Sequence, residues 1–103
     1  MRQRPPAVGN TSHAILDFAM RAVTVYTTDP CSLCVTAKEL LQSRGIAYQE
    51  VNLAKDPDGR AALQERTGMA TFPQIVIGDQ TLGGLRELIA AERNGQLEEL
   101  LAA

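Results

Sequence analysis

The chain has 103 residues, 45% hydrophobic and 21% charged, which suits one globular domain with one core and excludes a wholly disordered chain or a fibrous repeat. Ten Lys and Arg against twelve Asp and Glu give a formal charge of −2, and with aromatics at 4% and no Trp the chain lacks both a basic footprint and stacking platforms for nucleic acid. Apolar runs such as Ile75-Val76-Ile77 fall far short of the roughly 20 residues that cross a bilayer, so no membrane span is expected.

Residues 1–10 are rich in Pro, Gly and polar side chains. Arg2 and Arg4 are followed by Pro5-Pro6, Gly9, Asn10 and His13, which break up what would have to be the apolar core of a signal peptide; the expected location is the cytoplasm. Ala14-Ile15-Leu16 with Phe18 and Ala19 fits a short helix capped by Thr11 or Ser12. Residues 1–21 read as an extension to a domain at 22–103, and Met20, opening the first strand-like run, marks an alternative start of translation. The intact mass of native protein checks that start, and a mass matching residues 1–103 excludes it.

Val23-Thr24-Val25-Tyr26-Thr27 is β-branched and aromatic, a strand, and Asp29-Pro30 breaks it before a helix that begins near Cys31 and ends at Arg44-Gly45. Leu33, Ala37, Leu40 and Leu41 recur at helical spacing, and Gly45 suits a left-handed cap. A second strand is expected at about Ala47 to Leu53, parallel to the first. Asp56 as N-cap and Pro57 in the first turn then open a helix running to about Arg66 and stopping at Thr67-Gly68. Gln74 to Ile77 and Gln80 to Leu82 flank Gly78-Asp79, a two-residue hairpin turn, with Gly83-Gly84 ending the hairpin. Leu85, Leu88, Ile89 and Glu92 trace a last amphipathic helix closed by Asn94-Gly95, and Leu97, Leu100 and Leu101 add a final apolar turn. Arg60, Glu65, Arg66, Glu98 and Glu99 read as solvated faces. The order β-α-β-α-β-β-α predicts an α/β three-layer sandwich: a four-stranded mixed sheet with flanking helices, one crossover and a meander, resembling thioredoxin-like architecture.

The two cysteines, Cys31 and Cys34, are the informative pair, because a reducing compartment does not normally keep structural disulfides. Three residues apart at a strand-to-helix junction, both lie on one side of the first turn and can reach each other. Cys31 precedes that turn, where unpaired amides and the positive helix end favour a thiolate, so Cys31 is the expected nucleophile and Cys34 the resolving thiol. A free thiol titrates near 8.5 and is about 3% thiolate at pH 7, whereas helix N-termini and paired cysteines lower that value to roughly 3.5–7.5. The dipole contributes at most some 1.5 units, from about 2 kcal/mol at 1.36 kcal/mol per unit, so direct hydrogen bonds to sulfur must add to it. A lowered value chiefly makes Cys31 a better leaving group, expelled when Cys34 or an external thiol attacks its mixed disulfide: thiol–disulfide exchange. A tetrahedral metal site needs four ligands, and the only His, His13, lies in the extension. Thr71-Phe72-Pro73 is a second marker, a turn placed just before the third strand.

Tyr26-Thr27, Cys31-Ser32-Leu33-Cys34, Thr71-Phe72-Pro73, Gly83-Gly84 and Asn94-Gly95-Gln96-Leu97, in this order from about Ala22 to the end, resemble a dithiol glutaredoxin. The resemblance implies a cis-Pro73 loop beside Cys31, with the Phe72 backbone pairing with the cysteinyl part of glutathione and Thr71 in the same segment. It also implies that Gly83 and Gly84 open the helix receiving the γ-glutamyl carboxylate, on amides near Leu85 and Arg86. Thr28 stands where the family has a Lys and offers a neutral hydroxyl in its place. Leu33 stands where Tyr is frequent. Arg86 replaces an acid and cannot accept from the glutathione amino group, so either Glu87 replaces that contact or it is lost.

By this resemblance the chain is a glutathione-dependent thiol–disulfide oxidoreductase reducing glutathione mixed disulfides, protein disulfides or both. It carries no permanent cofactor, uses glutathione as reductant and works as a monomer. Two alternatives accompany it. With Ser32 in place of the commonest Pro, the motif is similar to family members that bridge a [2Fe-2S] cluster between two protomers, with Cys31 as ligand. It is similar, too, to redoxins that are reduced by thioredoxin reductase and serve ribonucleotide reductase.

Overall fold

The structure is a computed structural model and describes residues 21–102. The short helix expected at Ala14 to Ala19 and the start expected at Met20 lie outside the described residues. The elements are β1 (Val23–Thr27), α1 (Ser32–Ser43), β2 (Gln49–Asn52), α2 (Pro57–Thr67), β3 (Gln74–Ile77), β4 (Gln80–Gly83), α3 (Leu85–Asn94) and α4 (Gln96–Ala102). The sheet order is β2-β1-β3-β4, with β1 parallel to β2 and antiparallel to β3, and β4 antiparallel to β3.

Strand alternation sorts the helices into layers. Val23, Val25, Ile75 and Ile77 point to one face and form a single buried cluster with Ala37 and Leu41 of α1, Leu88 and Ala91 of α3, and Leu97 and Leu101 of α4. Each large aliphatic side chain so buried contributes about 1.5–3 kcal/mol. Gln74 and Val76 alternate to the opposite face, where α2 lies. The expected α/β sandwich, a thioredoxin-like fold, is therefore present, with α1, α3 and α4 on one side of the sheet and α2 on the other.

Local signals act as expected at most element ends. Asp56 caps α2, its carboxylate accepting from Gly59 N–H at 2.9 Å; Pro57 opens the helix and Gly68 closes it at φ 77°. At the end of α1 the amides of Gly45 and Ile46 donate to the carbonyls of Gln42 and Leu41 (3.0 and 2.9 Å), a double closure that needs the positive φ of 69° at Gly45.

Several expectations are corrected. Leu33 is not on the buried stripe of α1: it is 53% exposed, and Cys34 takes that place in a Cys34, Ala37, Leu41 stripe. The second strand is shorter than Ala47 to Leu53, because β2 is a mostly exposed edge strand. The final apolar turn is a separate helix, α4, and its Leu101 carbonyl accepts from Arg21 N–H at 2.8 Å. Gly83-Gly84 ends the hairpin as expected, with Gly83 the last residue of β4, paired with Ile75 across a bulge, and Gly84 capping the next helix. Arg60 and Arg66 are exposed as expected, and the Arg60 guanidinium also donates to the carbonyls of Leu53 and Ala54 at 3.2 and 3.1 Å. Arg66 lies 5.8 Å over the Tyr26 ring.

Candidate active site

Topology collects the candidate residues at one edge of the sheet. The parallel strands β1 and β2 both end there, at Thr27 and Asn52. The antiparallel β3 begins there, since Tyr26 pairs with Gln74, and β4 returns there, since Gly83 pairs with Ile75. The β1–α1 loop with Cys31, the Thr71-Phe72-Pro73 segment and the start of α3 thus share this edge. A Cβ at Gly84 would lie 3.5 Å from the Pro73 carbonyl oxygen, so the last two run close together at their backbones.

Cys31 is the N-cap of α1, in extended conformation, and its sulfur accepts a hydrogen bond from Cys34 N–H at 3.1 Å. This is the place in a helix where a side-chain oxygen usually satisfies an orphan amide; here a sulfur does so, and the same amide will stabilise negative charge on it. No acidic residue occupies the first turn, so nothing there competes for the positive helix end. Cys34 is only 2% exposed and its partner is half-buried, with 5.3 Å between the Cα atoms and a disulfide joining the two. One cysteine is part-exposed and the other buried, an arrangement suited to dithiol–disulfide interchange.

Sequence reasoning missed the polar groups that hold the loop. Thr27, 1% exposed, donates through its hydroxyl to Glu50 at 2.8 Å, and both Glu50 oxygens accept from Lys38 Nζ at 3.1 Å. The Thr27 hydrogen bond, and after it Lys38, holds the Glu50 carboxyl below its ordinary 4.5. Leu53 N–H donates to the Thr27 carbonyl (2.9 Å) and Asn52 to the Asp29 carboxylate (2.8 Å), so β2 tethers the strand and loop that lead to Cys31. The available signal was Thr27 itself, a hydroxyl in a buried slot of the Val23, Val25, Thr27 alternation.

The other expected site residues fall as follows. Thr28 is half-buried directly after β1, Leu33 and Thr71 are exposed, Phe72 is half-buried and Pro73 buried, with the Phe72–Pro73 bond cis; the Asp29–Pro30 bond is cis as well, which the sequence reading did not anticipate. Gly83 is buried with φ 132°, Gly84 is the N-cap of α3, and Leu85 and Arg86 are its first residues, half-buried and exposed. Leu85 and Arg86 carry amides without a partner inside the helix. Glu87 is exposed, and its Oε1 accepts from Gly84 N–H at 2.8 Å, which holds its carboxyl below 4.5. Among the described residues no three His, Cys, Asp or Glu converge as a metal site, and no helix is long and apolar enough to cross a membrane.

A disulfide-forming pair on the first turn of a helix in a thioredoxin-like fold defines a thiol–disulfide oxidoreductase. The glutaredoxin family model matches residues 23–82. The chain is 44% identical over 84 residues to a glutaredoxin of Pseudomonas aeruginosa, covering 82% of this chain and all of that one. It superposes on the solution structure of glutaredoxin from Brucella melitensis with a TM-score of 0.73 at 42% identity, covering 82% of this chain and 91% of the other. On the crystal structure of a buckwheat glutaredoxin–glutathione complex the TM-score is 0.71 at 31% identity, with 79% and 76% covered. The chain belongs to the glutaredoxin family, with Cys31 and Cys34 at the active-site position.

Proposed function

We propose that this protein reduces glutathione mixed disulfides and protein disulfides through Cys31 as nucleophile and Cys34 as resolving thiol, with glutathione as its reductant. The observation that carries the reading is the asymmetry of the pair: the Cys31 sulfur caps the helix in a part-exposed residue, while Cys34 is 2% exposed. The Cys31 thiolate attacks one sulfur of the substrate disulfide, forming a mixed disulfide and releasing one thiolate, which takes a proton from solvent. Either a second glutathione thiolate attacks the Cys31-bound glutathione, giving glutathione disulfide, or the Cys34 thiol loses its proton and attacks Cys31 Sγ. The latter closes the 31–34 disulfide and releases the second thiol, so two electrons leave the pair and two glutathiones restore them. Leu85 and Arg86 amides receive a substrate carboxylate and the Phe72 backbone pairs with the substrate peptide. Thr28, Leu33, Thr71 and the Gly83-Gly84 pair line the approach. The glutathione complex of the buckwheat relative supports this choice of substrate. The working domain is residues 22–103 with 1–21 as an extension, acting as a cytoplasmic monomer.

The deciding experiment follows reduction of a small glutathione mixed disulfide, with glutathione plus its reductase in one arm and thioredoxin reductase in the other. Wild type is expected to turn over with glutathione, Cys31→Ser to lose all turnover, and Cys34→Ser to retain it. Turnover only with thioredoxin reductase, with both cysteines required, replaces this reading with a redoxin reduced by that enzyme. A brown dimer after anaerobic purification points instead to a cluster bridged through Cys31.

A further inference from the structure

Gln74 is the only polar residue of β3, and at 1% exposure it is sealed between the sheet and α2. Its amide nitrogen donates to the carbonyls of Met69 and Thr71, both at 3.0 Å, and its amide oxygen lies 2.9 Å from the Thr67 hydroxyl. That hydroxyl also accepts from Met69 N–H at 3.1 Å and lies 3.0 Å from the Leu63 carbonyl. One buried side chain thus closes the whole connection from the end of α2 to the start of β3. Burying an amide costs free energy unless it is paired, and a Leu or Val would fill this slot without that demand.

The peptide plane shows what the clasp does. The Thr71–Phe72 peptide is trans, so its carbonyl and its N–H point in opposite directions. Gln74 draws the Thr71 carbonyl inward, which turns the Phe72 N–H away from the clasp, in a segment that shares its end of the sheet with the Cys31 loop. Among the described residues neither the N–H nor the carbonyl of Phe72 has a backbone partner. A hydrogen bond to the carbonyl also polarises the amide, making that N–H a better donor.

We infer that Gln74 is a positioning residue for peptide-bearing disulfides: through the Thr71 carbonyl it aims the Phe72 N–H at the substrate backbone, without touching substrate or either cysteine itself. This rests on the reading that the Phe72 backbone pairs with substrate. It separates two properties that a merely structural residue would change together, the reactivity of Cys31 and the preference for a disulfide that carries a peptide.

The test compares wild type with Gln74→Leu, which removes both donors and the acceptor at similar volume, in two reactions. One is steady-state reduction of a glutathione mixed disulfide; the other is single-turnover reaction of the reduced protein with dithiodipyridine, a disulfide with no peptide bond. Loss of one well-aimed backbone bond predicts a KM for the glutathione substrate raised about three- to tenfold, with kcat and the dipyridyl reaction within about twofold of wild type. Equal losses in both reactions, or an unchanged KM, overturn the inference. If Gln74→Leu does not fold, Thr67→Val carries the same test, with the KM expected to rise about two- to threefold. A wild type that does not turn over glutathione mixed disulfides overturns the proposed function itself. A wild type that does, with KM unmoved in the variant, overturns the role of Gln74 alone.

Discussion

Two helix N-termini border the same edge of the sheet, and they are finished in opposite ways. At α1 the capping atom is the sulfur of Cys31, no acid lies in the first turn, and the amide of Cys34 points at that sulfur. At α3 the capping position is a glycine, and the first turn supplies its own carboxylate, Glu87, to the Gly84 amide. The first end is left short of negative charge and is completed when Cys31 ionises. The second already holds an anion on the amides of Gly84 and Glu87, which leaves those of Leu85 and Arg86 without a partner inside the helix. The same dipole thus serves reactivity at one helix and architecture at the other, and the difference lies in which side chain answers the orphan amides.

The comparison breaks most visibly at the sulfur. Cys31→Ser is expected to drop turnover to the uncatalysed background, because a hydroxyl caps the helix as well as a thiol but is not ionised at neutral pH; measurable turnover in that variant would remove Cys31 from the chemistry. A smaller change separates cap from nucleophile. In reduced protein, Cys31→Asp should unfold about 1 kcal/mol more stably than Cys31→Ala by chemical denaturation, though both are inactive, since the carboxylate restores the bond to the Cys34 amide. Equal stabilities would mean that the cap contributes nothing.

Giving α1 the first-turn acid that α3 has should erase part of the contrast. In Ser32→Asp the pH midpoint of Cys31 alkylation by iodoacetamide is expected to rise by roughly half a unit, from a charge–dipole contribution of about 0.3–1 kcal/mol at 1.36 kcal/mol per unit. An unmoved midpoint would show that the helix end has little hold on the thiol. The smallest effect is at Glu87. Its carboxyl is held below 4.5 chiefly by the Gly84 amide, so the folded value lies under the unfolded one, and its contribution to stability is complete above 4.5 and lost as pH falls through the folded value. Glu87→Gln should therefore flatten thermal stability slightly below pH 4.5 and change nothing in that slope at neutral pH. Glu50→Gln should act in the same direction, because the Thr27 hydroxyl is the main cause of its lowered value. An acid limb identical to wild type in both variants would contradict these bonds.

Local chemistry made much of this readable in the chain. Asp56-Pro57 and Gly68 bound α2, Gly78-Asp79 turns the hairpin, Gly45 closes α1, and Cys31 stands at the start of a helix, each because the deciding interaction spans only a few residues. Leu33 was misplaced for the same reason: periodicity offers two adjacent stripes at the start of α1, and the buried one is chosen by the sheet underneath. The bond from Gly84 N–H to Glu87, three residues on, is as local as these but was not read from the chain, because the N-cap there is a glycine with no side chain to mark it.

By itself the sequence determined the order of elements, the class of fold and the pair of atoms that exchange electrons, since these follow from periodicity, turn residues and two thiols at one helix turn. Tertiary structure alone decided that Thr27 meets Glu50 across 23 residues and that Arg66 stacks on Tyr26 across 40, and it sealed Gln74 beneath α2, where its short-range bonds close a buried connection. The physical reason is that a buried polar group must find a partner, but the sequence does not say which. Only the register of β1 against β2 and β3, and the face on which α2 packs, bring the partners within hydrogen-bond distance.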